Sequence, residues 1–162
     1  MKTILKILSH KSFIDKNFNQ LVSKLNERRD LHDISKFKED EYKGFLELDS
    51  EEVSKLYDTD QEEYKKRIAN NVGIELHYSR NSHHPEHYNY EPTTGSYLGE
   101  WYKYMSFLAV IEMVIDWKSA CETYGSDFGE SVEKSIKRFE PDEKMEWLIR
   151  LIAKDLYGYS ND

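Results

Sequence analysis

The sequence predicts an all-α fold, one compact domain over residues 1–162 built from about seven helices. Glycine and proline are scarce, 7 and 3 in 162 residues, so few positions interrupt a helix. Strand-like alternation is nearly absent, and apolar residues recur at helical spacing instead. The length is enough to bury a core without staples. A single cysteine, Cys121, excludes a disulfide framework within the monomer and a multi-cysteine zinc module.

Taken in order, Ile4, Leu5 and Leu8 open a short periodic segment. Phe13, Ile14, Phe18, Leu21, Val22 and Leu25 form a second stripe, with room for a break between Lys11 and Lys16. Leu31 to Phe37 reads as a short helix entered at Asp30, and Glu39 to Leu46 as another. Ser50, followed by Glu51 and Glu52, marks a helix start with acids where the dipole favours them. Asp60 caps a helix through Tyr64, Ile68, Val72 and Leu76 towards Arg80, which Pro85 prevents from continuing. Asn89 to Ser96 has the strongest loop composition. A long helix then runs from about Leu98 to Tyr124 and ends before Gly125. Ser126 or Asp127 caps Phe128 to Phe139, and Pro141 opens the last helix, which closes near Gly158.

The net charge of −8 argues against a general nucleic-acid or anionic-membrane binder, because the long-range field is unfavourable to both. A small anionic substrate remains compatible where a metal inverts the local potential. The first eight residues are broken by Lys6 and make no convincing signal peptide. The apolar run Phe107 to Ile115 contains Glu112 and is too short to span a bilayer. The expectation is a soluble, cytoplasmic protein of open oligomeric state.

The chemistry-bearing residues are six histidines and a few carboxylates. His10 lies in the first helical segment and His32-Asp33 follow as a pair, with Lys36 one turn after His32 on the same expected face. His77, Asn81, His83, His84 and His87 crowd one stretch, where Pro85 limits the freedom of the paired imidazoles. Asp116 falls in the most apolar part of the chain, one turn after Glu112. Two carboxylates on one interior face call for a metal or a cation, whereas on the exposed side of an amphipathic helix they need neither. Imidazole with carboxylate is a ligand set for a divalent metal. A solvated His-rich loop and a solvated helix start are the competing readings of the same residues.

His10, His32-Asp33 and Asp116, taken in that order, resemble the metal-binding signature of the HD-domain phosphohydrolases. His32-Asp33-Ile34-Ser35-Lys36-Phe37, His83-His84-Pro85-Glu86-His87 and Glu112 to Trp117 more closely resemble an uncharacterised family of small bacterial and phage proteins. The resemblance covers His10 to about Phe139. It implies an HD-domain-like helical bundle in which His10, His32, Asp33 and Asp116 hold a metal. It also implies that His77, His83 and His84 complete a second metal site or contact the substrate phosphate, and that Lys36 stabilises developing negative charge. In two-metal members the later histidines are spread over separate helices, unlike the close spacing here.

The expected activity is therefore metal-dependent hydrolysis of a phosphate ester, using one or two divalent ions (Mn, Mg, Fe, Co, Ni or Zn). Asp33 is the expected bridging ligand, with Lys36 and Glu112 as its catalytic company. Lys36, Arg80, Asn81 and His87 are the candidates to contact the substrate, a nucleotide by analogy with the superfamily. Tyr88, Tyr90, Tyr97, Trp101 and Tyr102 are candidates to wall a base pocket or simply to pack. The alternatives are a non-catalytic module that sequesters a nucleotide or binds a host protein, and a di-iron oxygenase on the same fold.

Overall fold

The computed structural model describes residues 2–91, 96–97 and 100–160. Its contacts divide the chain into two units, Met1–His32 and Asp33–Asp162. The fold is all-α, with nine α-helices and two short 3-10 turns among the described residues, where about seven helices were expected.

The first unit is one helix, α1 (Lys2–Leu31). The first glycine is Gly44 and the first proline Pro85, so nothing interrupts the hydrogen-bond ladder near Lys11 to Lys16. Arg28 and Arg29 occupy its last turn, where positive charge complements the helix dipole.

The second unit opens on Asp33, which adopts a left-handed backbone at φ 55° and ψ 10°. Aspartate tolerates this conformation better than most side chains. A 3-10 turn, Ile34–Phe37, follows directly. The continuous helix expected over Leu31 to Phe37 is therefore broken, and His32 and Lys36 do not share one helical face. The reversal instead returns the Lys36 ammonium to Asp33 Oδ2 at 2.6 Å.

Four helices come next: α2 (Glu39–Leu48), α3 (Glu51–Thr59), α4 (Gln61–Ala69) and α5 (Val72–Arg80). Ser50 caps α3 and Asp60 caps α4, by accepting from Val53 N–H and Glu63 N–H. The single helix expected from Asp60 to Arg80 divides at Asn70-Asn71. Asn71 Oδ1 accepts from Ile74 N–H at 3.0 Å and so begins a new helix. Its Nδ2 donates to the Gly44 carbonyl at 2.9 Å, tying α5 to α2. There the two backbones touch: a Cβ on Gly44 would stand 2.4 Å from Gly73 Cα. Only glycine permits that approach, and it sets Glu41, one turn before Gly44, opposite His77, one turn after Gly73.

After α6 (Glu86–Asn89), β1 (Tyr90–Glu91) pairs antiparallel with β2 (Ser96–Tyr97). Residues 92–95 of the expected loop, and Leu98 with Gly99 at the expected start of the long helix, lie outside the described residues. That helix is shorter than expected. Trp101–Lys103 forms a 3-10 turn, and Ser106 caps α7 (Phe107–Tyr124). Asp127 caps α8 (Phe128–Phe139). Asp142 caps α9 (Glu143–Tyr157), so Pro141 precedes the helix instead of standing in its first turn. Gly125 and Gly158 end α7 and α9 at positive φ, where a Cβ is disfavoured.

Val110, Met113 and Val114 of α7, Val132 of α8 and Ile149 and Ala153 of α9 form the main core, with Trp101 packed among them. Each aliphatic side chain fully removed from water there contributes roughly 1.5–3 kcal/mol. Trp101 donates its indole N–H to the Phe139 carbonyl at 2.9 Å, so it is a core residue rather than the wall of a base pocket. No helix among the described residues is long and apolar enough to cross a membrane.

Candidate metal centre

Asp33, His77, His83 and His84 come together within the second unit, each offering one ligand atom within 4.8 Å of all the others. His77 is carried by α5. Its neighbours arrive by the turn that follows, where Asn81 N–H donates to the His77 carbonyl at 3.1 Å and His84 N–H to the Asn81 carbonyl at 3.2 Å. This folds His84 back over His77, with ring centroids 4.7 Å apart, and sets His83 beside His84 at 4.1 Å. The buried Pro85 holds the exit. Sequence separations of six and seven residues are thus closed by one tight turn.

Three edges of the cluster are defined by named atoms. His77 Nε2 stands 2.9 Å from His84 Nε2 and 3.4 Å from Asp33 Oδ1, while His83 Nε2 stands 3.5 Å from Asp33 Oδ1. Ligands about 2.1 Å from a metal lie about 3.4 Å apart in a tetrahedron and about 3.0 Å apart along an octahedral edge. The observed spacings match such shells, so the donor set fits a divalent ion in size as well as in type. Three imidazoles and one carboxylate suit Zn, Fe, Co or Ni better than Mg or Ca, which take mainly oxygen ligands.

The far sides of His77, His83 and Asp33 are held as well. Glu41 Oε1 lies 2.8 Å from His77 Nδ1, and Glu112 Oε1 lies 3.2 Å from His83 Nδ1. Carboxylates behind ligand imidazoles fix ring orientation and raise basicity. Lys36 meets the outer oxygen of Asp33 and stands 5.5 Å above the Phe45 ring. His77 and His83 are buried, at 3% and 2% exposure. Burial pushes the His77 imidazole below its ordinary value, against the opposing pull of Glu41. Burial, reinforced by the neighbouring His83 and His77 rings, pushes His84 down to about 2. Both rings are therefore neutral at pH 7, the form that ligates a metal.

Glu112 and Asp116 do not form a solvated face. The Glu112 side chain is 14% exposed, and Asp116 offers a carboxylate oxygen within 4.8 Å of a His83 ring nitrogen. The remaining candidates have other positions. Arg80 makes two hydrogen bonds to Asp40, at 2.6 and 2.9 Å, and a third to Glu41 at 3.2 Å. Its guanidinium holds the Asp40 carboxyl well below the usual carboxylate range. Asn81 is buried and donates to Ser35 Oγ and to the His77 carbonyl. His87 is exposed, with Nδ1 3.1 Å from the Tyr78 carbonyl. Through these bonds Arg80 and Asn81 brace the site. His10 and His32 belong to the first unit, His10 being exposed and His32 preceding Asp33 by one peptide bond.

Sequence reasoning missed Glu41 and Ser35. Glu41 sits in the acidic run Glu39-Asp40-Glu41, which reads as first-turn acids answering a dipole, yet its side chain is fully buried. The available signal was its position one turn before a mid-helix glycine, Gly44.

The second unit therefore defines an all-α protein with a cluster of three histidines and one aspartate, two of the histidines buried, that could hold a metal ion. The chain belongs to DUF5662, a family of unknown function whose model matches residues 1–155. No curated protein and no solved structure matches it.

Proposed function

We propose that this protein is a metal-dependent phosphohydrolase acting on a small phosphate ester, with nucleotides as the substrate class. The observation that supports the reading is the convergence of Asp33 Oδ1 with ring nitrogens of three histidines, backed by Glu41 and Glu112. A divalent ion held there would acidify a bound water and polarise a phosphoryl oxygen. Asp33 gives one oxygen to that centre and keeps the other on Lys36. The Lys36 side chain, 41% exposed, can turn its ammonium towards an arriving phosphate. On a chain of net charge −8, such a centre would be the attractive point for an anion. The hydrolytic step and the nucleotide come from the resemblance of the His32-Asp33 motif, as does any part played by His10 and His32.

One feature favours a second reading, in which the metal is bound without turnover. The four protein ligands would by themselves fill a tetrahedral shell, the pattern of closed structural sites, whereas catalytic zinc keeps a position open. A panel of nucleotides and simple phosphate esters, assayed with Mn, Co, Ni, Zn and Mg, separates the two. Hydrolysis that disappears in Asp33→Ala supports the enzyme. Stoichiometric metal with no turnover of any ester refutes it and leaves the binding module.

A further inference from the structure

Glu41 is a fully buried carboxylate that the metal-centre reading leaves outside the ligand shell, yet it touches a ligand ring. We propose that Glu41 is a positioning residue that holds His77 as the Nδ1–H tautomer and so delivers its Nε2 lone pair to the metal. The inference rests on the metal-centre reading and adds to it a residue that the sequence motif does not contain.

Hydrogen-bond counting carries it. Two groups stand close to His77 Nδ1: Glu41 Oε1 at 2.8 Å and Asn81 Nδ2 at 3.0 Å. The Asn81 amide has two hydrogens, and both have better-placed acceptors, Ser35 Oγ at 2.7 Å and the His77 carbonyl at 2.8 Å. None remains for Nδ1. Ser35 in turn donates its hydroxyl hydrogen to Glu41 Oε1 at 2.9 Å, so the chain of donors runs one way, from Asn81 through Ser35 to Glu41. Arg80 donates to the other oxygen, Glu41 Oε2, at 3.2 Å. With Glu41 able only to accept, Nδ1 must carry the proton, and Nε2 then points its lone pair at Asp33 and His84.

The arrangement also explains why a carboxylate stands here rather than an amide. A glutamine at position 41 would have to aim its NH2 either at Arg80, donor against donor, or at His77 Nδ1. The second choice reverses the tautomer and places a hydrogen on the ligating nitrogen.

Nitrogen-resolved NMR of the metal-free protein reads the tautomer, and Co(II) titration of chelator-stripped protein reads the affinity and its visible spectrum. Wild type is expected to show His77 as Nδ1–H. Glu41→Gln is expected to bind Co(II) about 10- to 100-fold more weakly, with a changed spectrum. Val132→Ala, a core truncation in α8, controls for lost stability and is expected to keep wild-type affinity. An Nε2–H tautomer in wild type, or a Glu41→Gln affinity within twofold of wild type, overturns the proposal. A Glu41→Gln loss matched by Val132→Ala also overturns it, since general destabilisation would then account for the effect. If wild type takes up no Co(II), the metal-centre reading fails and the proposal with it. Wild-type binding with an unaffected Glu41→Gln defeats the proposal alone.

Discussion

Replacing Gly44 by alanine should move the metal centre without touching any of its ligands. The new Cβ would stand 2.4 Å from Gly73 Cα and 2.5 Å from Gly73 N, both backbone atoms that no rotamer change can relieve. Carbon atoms prefer about 3.5–4.0 Å, so α2 and α5 must separate by about 1 Å. One turn away, the same movement stretches the 2.8 Å contact between Glu41 and His77 beyond hydrogen-bond range. Overpacking costs about 1–3 kcal/mol, and the weakened buried bond adds about 1 kcal/mol. Together they should lower Tm by roughly 5–15 °C. Metal affinity should fall about 10-fold or more, because a ligand ring has lost its brace. Thermal melts and Zn(II) titrations of Gly44→Ala beside wild type measure both effects. The sign is informative, since alanine in an unobstructed helix interior stabilises by roughly 0.5–1 kcal/mol. A Gly44→Ala protein that melts at or above wild type and binds metal equally well would refute the reasoning.

Three other substitutions or conditions give separable outcomes. Asp33→Gly and Asp33→Ala should both abolish tight metal binding, but alanine adds about 1 kcal/mol of strain at φ 55°, so its metal-free form should melt lower than the glycine variant; equal melting temperatures would contradict this. A transition metal supplied at about 100 times its Kd should stabilise the fold by about 2.7 kcal/mol and raise Tm, and EDTA should reverse the shift. For the metal-free protein, His77 and His84 lie below their unfolded value of 6.5, so the unfolded chain binds more protons once pH drops under that value. Their stabilising contribution is full above about pH 6.5 and falls as pH drops, on the order of 1 kcal/mol per pH unit for His84. Urea midpoints at pH 7.5, 6.5 and 5.5 should therefore decrease with a shallower slope in His84→Gln, and identical slopes would rule His84 out as the source.

Elements with local chemistry were legible in the sequence, and contacts between elements were not. Ser50, Asp60 and Asp127 announce their helices because each cap bond spans three residues, and Gly125 and Gly158 announce the ends of α7 and α9. The break at Asn70-Asn71 was hidden because Ile68, Val72 and Leu76 keep a four-residue spacing across it. Asn71 does cap α5 across three residues, but its side chain is tied in place by a bond to the Gly44 carbonyl, 27 residues away in the chain. The same limit applies to the site. His77, His83 and His84 stood out by density and Asp116 by its apolar surroundings. Glu41 is an ordinary first-turn acid until α5 covers it, and the left-handed turn at Asp33 leaves no periodic trace.

Metal analysis of protein purified without chelator tests the central claim most directly, with wild type measured beside His83→Ala and Asp33→Ala. At least one transition metal ion per wild-type chain is expected, with clear loss in both variants at unchanged helical content. Wild-type protein that carries no metal and takes up neither Zn(II) nor Co(II) after purification would contradict the account.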